Sequence, residues 1–398
     1  MNAVRDIVNI KIIGIGGGGC NAVNRLKNAN VEGVQFIAAN TDMVALNSSI
    51  AELKIQLGAK LTKGLGAGSV PEIGEQAAIE SKEQITEAIK DAHLLFLTAG
   101  MGGGTGTGGI PVIAEIAKEL NILTIAVVTK PFEYEGRRKM RLAEIGIDKL
   151  REHVDVLVVI PNEMAFKFVP PTTPLYKVVQ IADDVLHSSI IGITDIVVKP
   201  SLINLDFADI RTVIKNMKTA HIGIGRAKGE NRVLNALKQA ANSPLLESTI
   251  EGATQIIVNV TADMNINGFE VKEALSLINQ VADVDANIIQ GLGFDDTLKD
   301  EVIVTLIATG FNQNSIPNTT DVLSKRPETP ALGIKTEEQQ QVSSSPFNIQ
   351  PQNIYKMQEP PIKEEEEPKE IPSHRMKVRD NDIPPFLMRL RKLNKDRE

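Results

Sequence analysis

Two glycine-rich loops constrain this chain more than any other feature. One is TAGMGGGTGTGGIP, residues 98–111, with six glycines between Met101 and Ile110. The other is IIGIGGGGCNAV, residues 12–23. Glycine loses more conformational freedom on folding than any other residue, so clusters this dense mark places where something approaches the backbone closely. Each cluster leaves an apolar run and enters a helical pattern, with Pro111 expected near the first turn of the second helix. Backbone N–H groups and the helix dipole make such a junction an anion site. Thr105 and Thr107 add hydroxyl donors to the second loop. Two strand–loop–helix units, each with a phosphate nest, suit a ligand with a long phosphate chain. A third glycine-bearing loop, LTKGLGAGSV at residues 61–70, could reach the end of that chain.

The runs around these loops predict an α/β fold. VNIKIIGI, VQFIAAN, LLFLTAG, LTIAVVTK and VDVLVVIP are strand candidates, several continuously apolar as in parallel strands covered on both faces. Helical stretches such as PEIGEQAAIESKEQITEAIKDA and PVIAEIAKEL lie between them, giving the βαβ alternation of a doubly wound, mainly parallel sheet. A long helix is expected from Tyr176 to Val198, stopped by Pro200. A second, smaller α/β set follows: AHIGIG, TQIIVNVT, ANIIQGL and EVIVTLIATGF, with helices near 230–242 and 268–282. The expected organisation is a Rossmann-like nucleotide domain at 1–174, a central helix and loop at 175–204, and an α/β domain at 205–311.

Beyond Phe311 the composition shifts. Residues 312–380 are rich in Pro, Ser, Gln, Asn and charge, with the acidic block KEEEEPKE at 363–370, and read as a disordered linker. Residues 381–398 restore hydrophobics, among them Ile383, Phe386, Leu387, Met388 and Leu390, beside basic Arg389, Arg391, Lys392 and Lys395. That pattern fits a stray solvated tail or a short motif that folds onto a partner.

Composition sets the outer limits. The 398 residues allow two or three domains, and a net charge of −7 gives no reason to expect nucleic acid. Cys20 is the sole cysteine, so no intrachain disulfide forms, which fits a reducing compartment. MNAVRDIVNIKIIG lacks signal-peptide features, and no apolar run approaches the ~20 residues of a membrane span. A cytoplasmic chain, or one held at a membrane through a partner, is expected. No His/Cys/Glu cluster has zinc spacing, so no protein-bound metal centre is expected.

The first loop alone satisfies G-x-G-x-x-G, and Asp42, 23 residues past Gly19, lies near where a ribose-binding acid would sit. A Rossmann oxidoreductase using NAD fits that loop but not the second. No G-x-x-x-x-G-K-[ST] occurs, so this is not a P-loop chain. Asp206 and Asp209, in LINLDFADIRTVIKNM, sit at an apparent helix start. They read either as a cap with a first-turn acid or as chemistry.

GGGTGTGG resembles the signature of the tubulin/FtsZ superfamily. Further matching segments include IGIGGGGCNAVNR, ANTD, GAKLTKGLGAG, VVTKPFEYEGRRK, IADDVL, INLDFADI, SPLLE and LKDEVIVTLIATGF. The tail DIPPFL resembles the partner-binding peptide D-I-P-x-F-L-R of the division branch, with Met388 intervening before Arg389. The resemblance implies a GTP-binding, GTP-hydrolysing protein that polymerises head to tail and builds the bacterial division ring at mid-cell, beneath the inner membrane. A tubulin-like filament former for another task, such as plasmid segregation, is the alternative.

Carried over residue by residue, the resemblance places phosphates against Gly17, Gly18 and Gly19 and against Gly104, Thr105 and Gly106. It puts Cys20 in the first loop, Ala67 and Gly68 near the γ-phosphate, and Glu135 on ribose hydroxyls. Asn21 and Asp183 would hold guanine, and a carboxylate suits guanine's N1–H and N2 amino donors. Lys139 stands where an arginine is common, and Val179 where an aromatic ring often stacks on the base. Asp206 and Asp209, with Asn204 in the same loop, would act on the GTP of the neighbouring subunit. Mg²⁺ is expected on the β/γ-phosphates, held mostly by water. Asp382, Ile383, Pro384, Phe386 and Leu387 would bind membrane-tethering and regulatory division proteins.

Overall fold

The computed structural model describes residues 8–29, 31, 33–199, 201–203, 205–241, 250, 252–282 and 285–311. Asn204, the expected linker and the expected partner-binding peptide therefore lie outside the described residues.

The chain runs β1 (Ile10–Ile15), α1 (Gly16–Asn28), β2 (Val34–Asn40), α2 (Met43–Ser48), β3 (Leu53–Gln56), α3 (Ala59–Thr62), α4 (Pro71–Glu80), α5 (Lys82–Ile89) and β4 (Leu94–Gly100). It continues with α6 (Thr105–Glu119), β5 (Leu123–Lys130), α7 (Arg137–Arg151), β6 (Val156–Pro161), α8 (Leu175–Val198) and α9 (Phe207–Ile214). Then follow β7 (Lys218–Lys228), α10 (Arg232–Ala241), β8 (Gln255–Ala262), α11 (Gly268–Val281), β9 (Asn287–Phe294) and β10 (Glu301–Thr309).

The strands form one ten-stranded sheet in the order β3-β2-β1-β4-β5-β6-β7-β10-β8-β9. The first six pair in parallel, and their order is the doubly wound one, reversing direction between β1 and β4. β6 pairs with β7 only at Val156↔Lys218 and Leu157↔Thr219. Beyond it β10 is antiparallel to both β7 and β8, and β8 is parallel to β9.

Continuous apolar runs form these strands because both faces are covered. Ile10, Ile12, Leu94, Phe96, Ile125 and Val127 point into one core cluster, with Val23 and Leu26 of α1 and Leu186, Ile190, Ile193 and Ile196 of α8. Ile13, Ile15, Leu95, Leu97, Ala126 and Val128 point into a second, with Ile110, Ile113 and Ile116 of α6. The period of two assigns alternate residues to opposite faces. Lys11 breaks the apolar run of β1 and is 4% exposed. Its Nζ is satisfied by Asp91 Oδ1 at 2.5 Å and the Ala88 carbonyl at 2.7 Å, as a buried ammonium requires.

The core cluster that α8 lines also takes in Ile222 of β7, Ile257 of β8 and Ile307 of β10, and Gly192 of α8 packs against Ile224 of β7 and Thr305 of β10. Burying its four large aliphatic side chains is worth up to roughly 6–12 kcal/mol. That equals the whole stability of a typical domain. The helix is thus part of both halves of the sheet rather than a free linker.

Four local expectations change. The helix read across residues 71–92 breaks at Ser81, whose Oγ accepts from Gly58 N (3.0 Å) and donates to Gln56 O (3.3 Å), giving α4 and α5. α6 begins at Thr105, so Pro111 falls in its second turn, not its first. Asp42 is not poised for a ribose: its carboxylate caps α2, accepting from Val44 N (2.8 Å) and Ala45 N (3.2 Å). Thr107 turns inward, with its Oγ1 accepting from Gly102 N at 2.8 Å.

Candidate functional site

Both glycine loops follow the carboxyl ends of adjacent strands, β1 and β4, where the strand order reverses. In an open α/β sheet this is where ligands bind. The register pairs Ile15 with Ala99, so the two loops leave the sheet side by side. α1 and α6 then begin without any side-chain cap, leaving their first N–H groups without side-chain acceptors. Two uncapped helix N-termini, of helices 13 and 15 residues long, converge on one place.

The glycines divide by what a Cβ would meet. At Gly19 it would lie 2.4 Å from the Thr98 carbonyl oxygen, and at Gly108 1.9 Å from the Pro71 carbonyl oxygen. Gly14, Gly16, Gly18, Gly74, Gly104 and Gly106 likewise meet protein atoms at 3.3 Å or less. These residues let the loops, α4 and α6 pack backbone to backbone. Gly17, Gly68 and Gly103 meet nothing within 4 Å. A glycine facing open space answers to no neighbour of its own, so its bare backbone suits a ligand. The cradle thus fits a phosphate chain at the first, second and third loops together.

The third loop sits against the second, since a Cβ at Gly104 would be 2.8 Å from Ala67 Cβ. Thr105 Oγ1 shares a hydrogen bond with Thr41 Oγ1 at 2.6 Å, which fixes its hydroxyl at the mouth of α6. Glu135 closes a short 3₁₀ turn at Glu133–Glu135, its Oε1 accepting from Phe132 N at 3.0 Å. Its Oε2 pairs with Lys139 Nζ at 2.9 Å. The Lys139 carbonyl lies against the second loop at Gly102. Glu135 and Lys139 therefore come together beside the glycines.

Asn21 and Asp183 approach the same edge from α1 and α8. Asn21 is exposed, and Asp183 is half-buried and accepts from Arg25 Nη1 at 2.8 Å. Asp184 accepts from the other nitrogen of that guanidinium, Nη2. Burial pushes the Asp184 carboxyl above its usual range against the pull of Arg25. Burial, aided by Arg25 and Arg226, pushes His187 down to about 4, so it is neutral at physiological pH. Val179 is 36% exposed on the same helix.

The Cys20 side chain takes no part in the cradle. It is 2% exposed and lies in the core with Val23 and Leu26. Burial pushes the thiol up to about 11, so no thiolate is present at neutral pH. Asn162 is a residue the sequence reading passed over. It follows β6 at the carboxyl edge of the sheet, and its buried Oδ1 has no hydrogen-bond partner among the described residues. Leaving such an oxygen unmatched costs about 1–3 kcal/mol, which suits an acceptor for a ligand. Its position directly after a parallel strand was the available signal.

Asp206 and Asp209 are elsewhere. They form a capping box at the start of α9, where Asp209 N donates to Asp206 Oδ1 (2.8 Å) and Asp206 N to Asp209 Oδ2 (3.2 Å). The cap reading of these acids is therefore correct as structure. Phe207 lies edge-on to His93, ring centroids 6.5 Å apart. His93 immediately precedes β4, whereas the glycine loop follows its last residue, Gly100. Seven strand residues span about 23 Å. Asn216, just after α9, donates to Asp155 Oδ1 at 3.0 Å, again at the start of β6. The acids and the cradle occupy opposite edges of one sheet, so a chain's own acids cannot reach its own cradle. Among the described residues no cluster of His, Cys, Asp and Glu could hold a metal ion.

Residues 9–170 match the GTPase domain of the Tubulin/FtsZ family, and residues 218–312 match the C-terminal domain of the FtsZ family. The structure superposes on FtsZ of M. jannaschii, solved as an empty dimer, with TM-score 0.71 and 44% identity over 76% of this chain and 88% of that one. The chain belongs to the FtsZ family. A point mutant of the same M. jannaschii FtsZ gives TM-score 0.72 at 44% identity, covering 76% of this chain and 91% of the other. CetZ2 of Haloferax volcanii, solved as a GTPγS-bound protofilament, shares the fold at 16% identity, with TM-score 0.65 and coverage of 77% and 95%. This FtsZ-family chain is a GTPase, and its first domain binds GTP and GDP. No described helix is long and apolar enough to cross a membrane.

Proposed function

We propose that this FtsZ-family GTPase assembles head to tail, hydrolyses GTP between adjacent subunits and builds a cell-division ring at a cytoplasmic site. The separation of the acids from the cradle carries the reading. Gly17, Gly18, Gly19, Gly104, Thr105 and Gly106 hold the phosphates, Ala67 and Gly68 sense the last of them, and Glu135 and Asn162 take ribose hydroxyls. Asn21 and Asp183 hold the base. A carboxylate accepts guanine's two donors but would be left unmatched against adenine, so GTP is preferred over ATP. Asp206 and Asp209 of the next subunit, with Asn204, polarise the attacking water. Mg²⁺, held mostly by water, neutralises charge developing on the phosphates alongside the loop amides.

Exposed apolar residues support assembly at both edges. Val44 and Leu65 are 81% and 86% exposed beside the third loop. Leu202 and Ile203, 68% and 52% exposed, precede the acids and lie against β9. Two different faces that complete one another repeat without closing, which gives a filament. The DIPPFL segment at residues 382–387 supports the division role through a membrane tether. Electron microscopy of the purified protein tests the assembly. Filaments are expected with GTP and far fewer with GDP; dispersed particles with both nucleotides would overturn it.

A further inference from the structure

Arg25 spans two successive carboxylates of α8, and the two differ. Asp184 is the more buried, its side chain 22% exposed, whereas that of Asp183 is 42% exposed. A guanidinium is planar and presents its donors in a fixed fork. Clamped on the more buried Asp184, the fork leaves its other nitrogen one place to hold Asp183 Oδ2, 2.8 Å away. Among the described residues Asp183 Oδ1 accepts no hydrogen bond. Arg25 also lies four residues after Asn21, so both project from one face of α1. The helix that begins with the first glycine loop thus grips the helix that carries the base contact.

We propose that Arg25 is a positioning residue for nucleotide specificity: anchored on Asp184, it sets the Asp183 carboxylate so that both oxygens address the two donors of guanine. This rests on the reading of Asp183 as the base contact. Without Arg25 two adjacent carboxylates repel, and Asp184 is pushed further toward its neutral form by the burial that already raises it. Asp183 is then free to turn, and a two-point contact becomes a one-point contact.

The experiment compares equilibrium binding of GTP and ITP, whose base lacks the 2-amino donor, to the full chain. The native protein should prefer GTP by roughly tenfold or more, one charged hydrogen bond. Arg25→Gln should cut that preference to within about threefold, with Arg25→Lys between, because an ammonium cannot fork across two carboxylates. A merely structural role would weaken both nucleotides equally, and an unchanged GTP:ITP ratio in Arg25→Gln overturns the proposal. Asp183→Asn separates the two levels. It should favour XTP, whose 2-oxo group accepts from an amide. If Asp183→Asn leaves GTP, ITP and XTP binding as in the native protein, the base-contact reading itself is wrong. If it switches preference while Arg25→Gln keeps the native ratio, only the positioning role is wrong.

Discussion

Asp206→Asn and Asp209→Asn should each lower GTP turnover by about 10²–10⁴-fold, the range of a positioned acid or base. Both should bind GTP as the native protein does and melt at nearly the native temperature. The observed cap and the proposed chemistry can be pulled apart because asparagine caps a helix about as well as aspartate. The capping box needs oxygens that accept from the Asp206 and Asp209 N–H groups, and an amide oxygen still does so. What asparagine lacks is the charge that would polarise water. Alanine would be the poorer probe, since it also removes the cap at a cost of about 1 kcal/mol. Phosphate release and thermal melting on the same samples decide the matter. Near-native turnover in both asparagine variants would leave these acids as a cap and nothing more.

The second large effect concerns glycines that look alike in sequence and do unlike things. Gly108→Ala would put a methyl 1.9 Å from the Pro71 carbonyl oxygen and 2.7 Å from Glu75 N, both backbone atoms of α4. Neither helix can yield without giving up its packing, so the loss should exceed about 4 kcal/mol and leave the domain unfolded or barely stable. Gly17→Ala meets no protein atom within 4 Å and replaces a poor helix former in the first turn of α1. Its stability should stay native or rise by up to about 1 kcal/mol. GTP affinity should nevertheless fall by roughly tenfold or more, about 1.4 kcal/mol, because the methyl occupies the space of a phosphate. Circular dichroism melts and nucleotide titration distinguish the pair. A Gly17→Ala protein with native GTP affinity would mean that no phosphate comes close there.

Much of this was legible in the residues. VQFIAAN, LLFLTAG and LTIAVVTK became β2, β4 and β5 without a shift of boundary, because buried parallel strands leave continuous apolar runs between polar turns. The two glycine loops were legible as strand–loop–helix junctions, and adjacency of β1 and β4 is what brings them side by side. What stayed hidden depends on tertiary partners. The break at Ser81 follows from a hydrogen bond with Gly58, 23 positions earlier. The ion pair of Arg25 with Asp183 spans 158 positions, so no local pattern could reveal it. Which glycines serve packing and which face open space is a property of α4 and α6 lying side by side. Asp42 looked like a ribose acid at the right distance from Gly19 and proved to be a cap, since short helices need one as much as cofactors need an acid. For Asp206 and Asp209 the cap is what the structure shows and the chemistry is what we propose; a helix start with two acids is compatible with both, so residue type alone does not separate them.

On the proposed function, the GTP of one molecule is cut by the acids of the next. GTP turnover per molecule, measured on the native protein from nanomolar to tens of micromolar, tests it most directly. Almost no turnover is expected in the dilute samples, and a steep rise once neighbours meet. Specific activity that stays flat across the whole range would contradict it, because a lone chain would then be cutting GTP with acids that sit at the far edge of its own sheet.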